Sequence, residues 1–266
     1  MSSVTARIKE VKQPRGGYIK PSQFEEIIND DGKILKEENI HASIIGIAID
    51  YLTRAIMGEA SLQDAFKISI AGYQRRLMIL GEEVLEIDKK KKIDIVSLLK
   101  EIKGLDDKSI IAVCKACTYD SWYRNPMGAM MVKGAEEIMP DKNTIENIKI
   151  MVNRSILFWK KYGPVAVNGF TFEKDGYTQT VDSGDGDYLT EDTLWEFKVI
   201  KSKPTNKHTL QLLMYWIMGQ HSGKEEFKGI KNLGIFNPRL NIVYLLNIDI
   251  IPRETIREVE KEVICY

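Results

Sequence analysis

The chain has 266 residues, 44% of them hydrophobic and 29% charged, a composition that suits a folded protein with a sizeable core. The charges of its 38 basic and 38 acidic side chains cancel, which disfavours a protein that coats nucleic acid by charge alone. A net charge of zero does not exclude a local metal site, which needs acidic ligands. No run of about 18 apolar residues exists, so the sequence excludes a membrane-spanning helix. The N-terminus carries no apolar signal segment, so we expect a cytoplasmic protein.

The first part of the chain is predicted to be mainly helical. Residues 1–17 are polar and end in glycines, and we expect them to form a loosely held arm. Ser22 and Glu25 have the spacing of a capping box, which predicts a short helix over residues 21–30. Apolar periodicity predicts further helices at 41–57, 61–80, 93–103, 108–121, 128–138 and 143–161. The lysine-rich segment 88–94 is predicted to be a solvated connection.

The second part of the chain has the pattern of strands. Residues 168–200 carry glycines, threonines and two-residue alternation, which is typical of short antiparallel strands. A helix at about 207–219, strands at 231–238 and 240–250, and a charged closing helix at 252–264 follow. This order predicts an α/β protein in which a large helical region, at about 57–165, precedes the sheet.

The three cysteines do not form a disulfide framework. Cys114 and Cys117 make a CxxC pair, but no second pair completes a zinc site. The apolar residues around them indicate a buried helix. We therefore predict that both thiols are small core side chains rather than ligands.

The segment LWEFKV combines an apolar face with a charged one. Side chains alternate along a strand, so Glu196 and Lys198 share one face while Trp195 and Phe197 occupy the other. A strand of this kind buries its apolar face and carries reactive side chains on the other face.

Two acidic residues on the preceding strand are expected to meet this charged face. If residues 191–192 form a two-residue hairpin loop, Asp187 lies opposite Glu196 and Asp185 lies opposite Lys198. Two carboxylates directly opposite each other repel, so a shared cation or a shared proton is the expected reason for the pair.

The predicted pair suits a magnesium ion, because Mg²⁺ prefers carboxylates and waters in octahedral geometry and binds beside phosphates. The neighbouring Lys198 is then placed to orient or deprotonate an attacking water and to stabilise negative charge on the phosphate. The alternative is a surface hairpin in which Asp185 and Lys198 form an ion pair.

These residues resemble the motif of a known superfamily. Asp187 followed by Glu196-x-Lys198 is similar to the metal-binding motif of the PD-(D/E)xK nucleases, with Gly186 where proline often precedes the aspartate. The resemblance implies that Asp187 and Glu196 hold the metal and that Lys198 completes the catalytic set.

The helix after the hairpin extends the resemblance. Gln211 and Tyr215 lie one turn apart on one helical face, and they resemble the QxxxY motif of the RecB-type branch. In that branch the motif helix packs beside the metal site, which implies a substrate-positioning role for both residues. Lys207, one turn earlier, is placed to meet a phosphate. The alternative is that Gln211 and Tyr215 only hydrogen-bond the edge of the sheet.

An upstream helix carries a third element. RecB-type nucleases often have a GxxxH helix whose histidine completes the metal shell, and here Gly46 and Asp50 have that spacing with aspartate in the place of histidine. The resemblance implies that Asp50 is a third metal ligand. The alternative is a structural ion pair with Arg54, since a buried carboxylate is costly unless it is paired.

The resemblance covers about residues 20–56 and 168–250. It implies a single domain over residues 18–266 with a restriction-endonuclease-like core, a central mixed sheet flanked by helices. His41 and His208 flank the two motif helices and are predicted to be caps or surface residues.

The function that the resemblance implies is hydrolysis of phosphodiester bonds in nucleic acid, with DNA favoured over RNA as the substrate and Mg²⁺ or Mn²⁺ as the cofactor. It leaves exonuclease and endonuclease action open. Its expected setting is recombination, repair or the processing of phage or mobile-element DNA, with a recombination or replication protein as a partner. The alternative is a catalytically silent module that keeps the fold and binds nucleic acid or a protein.

Overall fold

The computed structural model of the protein describes residues 2–58 and 60–266. Its α-helices are α1 (Val4–Glu10), α2 (Ala42–Met57), α3 (Leu62–Ala65), α4 (Lys67–Leu80), α5 (Glu83–Lys91), α6 (Ile95–Glu101), α7 (Asp107–Cys117), α8 (Asp120–Arg124), α9 (Pro126–Ala129), α10 (Lys142–Tyr162), α11 (Asn206–His221) and α12 (Arg253–Glu258). Its strands are β1 (Ser2–Ser3), β2 (Glu25–Ile28), β3 (Val167–Thr171), β4 (Val181–Ser183), β5 (Asp185–Leu189), β6 (Thr193–Phe197), β7 (Asn232–Asn237) and β8 (Ile242–Asn247).

Contacts divide the chain into two compact units. The sheet unit contains the residues up to Asp31 and Leu157–Tyr266, and the helical unit contains Gly32–Ile156. The single domain expected over residues 18–266 stays a prediction beside this division. The helical unit begins earlier than the predicted region at about 57–165, because α2 packs its apolar side chains against α7.

The sheet unit is built on a six-stranded mixed sheet in the order β2-β8-β7-β6-β5-β3. Strands β6 and β7 are parallel, and the other neighbours are antiparallel. The parallel pair is joined by α11, which covers one face of the sheet with a continuous apolar core. The predicted α/β class, with a mixed sheet flanked by helices, is confirmed.

The opposite face of the sheet is covered by aromatic side chains. Phe158 and Trp159, near the end of α10, pack on strand β6, where the Phe158 ring lies 4.8 Å from Trp195 and the Trp159 ring lies 5.3 Å from Phe197. These contacts confirm the predicted alternation, because Trp195 and Phe197 face the aromatic layer while Glu196 between them faces α11.

The residue before Asp187 lies in a tight cross-strand contact. Strands β3 and β5 place Gly186 directly opposite Phe170. A Cβ atom at position 186 would lie 1.9 Å from the Cζ atom of the Phe170 ring, so the ring occupies the space of a side chain there. Glycine is required at this position for packing.

The predicted N-terminal arm is wrong for residues 4–10, which form α1. Val4 and Ile8 lie on one face of this helix and are buried in the core of the sheet unit. Arg7 donates hydrogen bonds to the carbonyl oxygens of Val263 at 2.8 Å and Glu262 at 3.0 Å. The spacing of Val4 and Ile8 was the local signal for this helix.

The helix predicted over residues 21–30 is also wrong. A short 3-10 turn at Pro21–Gln23 is followed by strand β2, which pairs with β8 at one edge of the sheet. The Gln23 side chain, rather than Glu25, accepts the capping hydrogen bond, from the Lys20 N–H at 2.8 Å. Pairing with a distant strand overrides the local helical pattern here.

The helical unit confirms several predicted helices and corrects others. Helices α2 and α10 lie where the pattern predicts them, whereas the segment 61–80 is divided at Phe66 and the segment 128–138 is only partly helical. The lysine-rich segment is not a connection, because α5 continues to Lys91. Lysines in a last turn interact favourably with the helix dipole, which stabilises this extension.

The CxxC thiols are core residues, as predicted. Cys114 and Cys117 are buried and free on α7. Burial raises the pKa of the Cys114 thiol to about 12. Neither thiol is therefore an available nucleophile at neutral pH.

Candidate active site

The hairpin formed by β5 and β6 has the predicted register. The ladder pairs Tyr188 with Trp195, and continuing it by one residue places Asp187 opposite Glu196. The Asp187 carboxylate accepts a hydrogen bond from the Phe197 N–H at 2.8 Å. The predicted meeting of the two acidic side chains is therefore present in the structure.

Glu196 is the buried centre of the site, with 4% of its surface exposed. Its Oε1 atom accepts hydrogen bonds from Lys198 Nζ at 2.6 Å and from Gln211 Nε2 at 3.3 Å. With both carboxylates ionised, its Oε2 atom has no hydrogen-bond donor among residues 2–58 and 60–266. A proton shared with Asp187 would supply one.

The carboxyl of Glu196 is held in an unfavourable environment for a charge. Burial raises its pKa, and the charge of Asp185 raises it further, against the opposing effect of Lys198. A buried carboxylate with a bare oxygen atom is destabilising unless a proton or a cation compensates it.

Lys198 is held as an ammonium ion. Burial alone would lower its pKa, but the surrounding carboxylates, with Glu196 the strongest, outweigh burial and raise the pKa. The ion pair joins Lys198 to Glu196, not to Asp185 as in the surface-hairpin alternative. At neutral pH this lysine is therefore a proton donor and a positive charge rather than a general base.

Helix α11 holds the hairpin through Gln211 and Tyr215. Both side chains are buried, and Gln211 Nε2 donates to the Tyr215 hydroxyl at 2.8 Å. The Tyr215 hydroxyl in turn donates to the backbone carbonyl of Asp185 at 2.8 Å. These are the contacts with the sheet that were the alternative to substrate positioning. Lys207 is exposed in the first turn of α11.

Removing the Tyr215 hydroxyl tests this connection. We expect Tyr215→Phe to lower the free energy of unfolding by about 1–2 kcal/mol, because the Asp185 carbonyl and the Gln211 amide lose a partner. We also expect Mn²⁺ affinity to fall by about tenfold, as for other residues that orient ligands. Urea unfolding and calorimetry measure the two effects.

Tyr119→Phe is the matched control, because this hydroxyl also donates to a backbone carbonyl, that of Ile93, but lies in the helical unit. It should show a similar stability loss without any change in Mn²⁺ affinity. Unchanged Mn²⁺ affinity in Tyr215→Phe would contradict the proposed connection between α11 and the carboxylates.

His208 lies near the charge of the site lysine as well as at the beginning of α11. Its Nδ1 atom accepts the Thr205 N–H at 3.0 Å, which confirms the predicted cap of α11. It also lies on the same helical stripe as Gln211 and Tyr215, a spacing visible in the sequence. Burial and the charge of Lys198 lower its pKa to about 4, so the imidazole is neutral at physiological pH.

This pKa predicts a pH dependence of stability. The unfolded chain binds a proton on His208 near pH 6.5, whereas the folded chain does so only near pH 4. The contribution of His208 is therefore full above about pH 6.5 and is lost as the pH falls towards 4. We expect His208→Asn, which keeps an acceptor for the Thr205 N–H, to flatten this decline in urea unfolding. Parallel pH profiles of the two proteins would contradict the assignment.

Asp50 lies on α2 in the helical unit, where it forms an ion pair with Arg54. The Arg54 Nε atom donates to Asp50 Oδ1 at 2.9 Å, and a second contact joins the other oxygen. The structural ion pair with Arg54, which was the alternative to a ligand role, is therefore present. The role of Asp50 as a third metal ligand stays a prediction.

A charge-removing substitution separates the two roles of Asp50. We expect Asp50→Asn to lower the free energy of unfolding by about 0.5–1 kcal/mol, because the partly exposed pair with Arg54 is lost. If Asp50 serves only as the partner of Arg54, Mn²⁺ affinity stays unchanged. A loss of Mn²⁺ affinity in calorimetry, with stability retained, would instead identify Asp50 as a ligand.

The acidic residues of the hairpin fit a divalent cation. In the part of the chain that the structure describes, no group of three or more His, Cys, Asp and Glu side chains forms a metal cluster. A site with Asp187 and Glu196 therefore relies on two carboxylates, a small ligand set that suits Mg²⁺, which keeps several waters. The bare oxygen of Glu196 is the observation that favours a cation there.

Comparison of the chain with protein-family models, with curated proteins and with solved structures gives no significant match. Within residues 2–58 and 60–266, no helix has both the length and the apolar character needed to cross a membrane.

Proposed function

We propose that the protein is a divalent-metal-dependent enzyme that hydrolyses phosphodiester bonds. Within this class, we propose a nuclease of the RecB-type branch with a restriction-endonuclease-like core, acting on DNA in recombination, repair or mobile-element processing. The observation that carries the proposal is the buried Glu196 carboxylate, which faces Asp187 with one oxygen bare and contacts Lys198 with the other.

Each residue of the site has a separate role in the proposed reaction. A bound Mg²⁺ or Mn²⁺ supplies Lewis-acid stabilisation of the phosphate and activation of water. Asp187 and Glu196 would hold it. Lys198, as an ammonium ion, would stabilise charge that develops on the phosphate oxygens and donate a proton from Nζ to the departing oxygen atom of the cleaved ester. Gln211 and Tyr215 are positioning residues, because they fix Glu196 and the Asp185 backbone.

The energetic cost of the site supports an active enzyme over a silent module. Burying Glu196 beside Asp187 opposes folding, because desolvation and the charge of Asp185 disfavour the ionised form of Glu196. A binding module has no need for this arrangement, and an Asn or Gln at either position would relieve it. Functional sites commonly retain such a destabilising arrangement.

A cleavage assay tests the proposal. Labelled single-stranded DNA, double-stranded DNA and RNA are each incubated with the full chain and Mg²⁺ or Mn²⁺. Parallel reactions contain EDTA, or Ca²⁺ in place of these ions. We expect cleavage with Mg²⁺ or Mn²⁺ that EDTA abolishes. Absence of metal-dependent cleavage on both DNA substrates and on RNA would overturn the nuclease proposal.

A further inference from the structure

Two segments of the chain are basic and free of acidic residues, although the whole chain has no net charge. The first, residues 11–24, contains Lys12, Arg15 and Lys20. The second, residues 198–208, contains four lysines, at positions 198, 201, 203 and 207. The second segment begins at the site lysine and ends at His208 in the first turn of α11.

The fold brings these two segments together at the beginning of α11. The Thr209 hydroxyl donates to the Ile19 carbonyl at 2.7 Å. Gly17 packs so closely on the first turn of α11 that a Cβ atom there would lie 2.6 Å from the Asn206 Cβ. The positive end of the α11 dipole thus lies between two basic segments.

Most of these basic side chains are available to a ligand. Lys198 pairs with Glu196, and Lys203 pairs with Glu26. The other five are exposed and form no ion pair with a described acidic residue; we call them the basic rim, and they are Lys12, Arg15, Lys20, Lys201 and Lys207.

We propose that the basic rim binds the phosphodiester backbone of a nucleic-acid strand and leads it to Glu196 and Lys198. The proposal deepens the proposed function and rests on it for the identity of the ligand. Closely spaced lysines and arginines, continuous with a site lysine, match the regular negative charge of a phosphate backbone. A membrane surface is the less suitable ligand, because neither segment presents an exposed large apolar side chain for insertion.

The contribution of the basic rim is measured as binding without catalysis. Fluorescence anisotropy follows a labelled single-stranded DNA of about 20 nucleotides in EDTA, over a series of salt concentrations. The rim variant is the triple substitution Arg15→Gln, Lys20→Gln and Lys207→Gln. Its three side chains are exposed, so we expect the melting temperature to be unchanged.

The matched control removes the same charge from the helical unit. It is the triple substitution Lys90→Gln, Lys100→Gln and Lys108→Gln, whose side chains are also exposed. We expect the rim variant to bind the strand at least about tenfold more weakly than the unmodified chain. Its slope of log affinity against log salt should be smaller by about 2, since each phosphate contact contributes about 0.7 for a single strand. The control should bind within about twofold of the unmodified chain.

Three results would overturn the proposal. One is equal binding of the strand by the rim variant and the control. Another is unchanged KM of the rim variant for cleavage of the strand. The third is tighter binding of the unmodified chain to phosphatidylserine vesicles than to DNA, with the same loss in the rim variant.

The binding experiment and the cleavage assay can fail independently of each other. If the unmodified chain binds DNA through the basic rim but never cleaves it, the nuclease proposal fails and the proposal that the basic rim binds a strand is supported. If the unmodified chain cleaves DNA, and the rim variant binds and cleaves DNA as well as the control does, only the proposed binding role of the basic rim fails.

Discussion

Lys198→Ala is expected to abolish metal-dependent cleavage, with kcat reduced by at least about 10²- to 10³-fold, the effect of removing one charge-stabilising donor from an active site. Lys198 is the cation that contacts the buried Glu196, and its raised pKa keeps it charged at the pH of the assay. Alanine removes both the proton donor and the positive charge. Single-turnover cleavage in saturating Mn²⁺ measures the effect on chemistry alone.

The same substitution has a stability effect that depends on pH. Without Lys198, Glu196 loses the charge that opposes its burial, so its pKa rises further. A carboxyl whose folded pKa is raised stabilises the fold when it is protonated, and this stability is lost as the pH rises through the folded pKa. We expect Lys198→Ala to melt near the unmodified chain at pH 5 and several degrees below it at pH 8.

Lys231→Ala is the control for both measurements, because this lysine is exposed before β7 in the same unit and lies outside the site and the basic rim. It should cleave and melt as the unmodified chain does. Cleavage by Lys198→Ala at the rate of the control would remove Lys198 from the catalytic set and leave it as the structural partner of Glu196.

Asp187→Asn is expected to weaken Mn²⁺ binding by about two orders of magnitude or more, since even residues that only orient a ligand contribute tenfold to a hundredfold. The amide oxygen of asparagine still accepts the Phe197 N–H, so the hairpin keeps its backbone contact. The charge that a divalent cation requires is removed. Calorimetric titration with Mn²⁺ at pH 7 measures the affinity directly.

Asp182→Asn is the control for this titration, because Asp182 is an exposed carboxylate on the neighbouring strand β4. It should bind Mn²⁺ as the unmodified chain does. Binding should also weaken as the pH is lowered, because protons compete with the cation for Glu196. Equal Mn²⁺ affinity in Asp187→Asn and Asp182→Asn would eliminate the metal site at the hairpin.

The sequence predicts the hairpin well because its information is local. Alternation along the strand assigns Glu196 and Trp195 to opposite faces, and a two-residue turn then determines which residue lies opposite Asp187. The helical stripe of Gln211 and Tyr215 is equally local. The partners of this stripe cannot be predicted from local information, because the spacing of Gln211 and Tyr215 does not show whether they contact a substrate or the sheet.

The features that the sequence does not predict depend on distant contacts. The segment Glu25–Ile28 is a strand because β8 offers it an unpaired edge, although β8 lies more than 200 residues away. Val4 and Ile8 form a helix that is held by the core of the sheet unit and by the carbonyls near the C-terminus. The assignment of α2 to the helical unit depends on α7, which no pattern within α2 reveals.

The contact between Gly186 and the Phe170 ring makes two positions of the chain dependent on each other. Proline, which often precedes the aspartate in the superfamily that this site resembles, fits at position 186 only if position 170 is small. A single change at 186 therefore meets the aromatic ring, whereas a prior change at 170 leaves a cavity. Either order passes through a destabilised intermediate, so the effects of substitutions at positions 170 and 186 are expected to be non-additive.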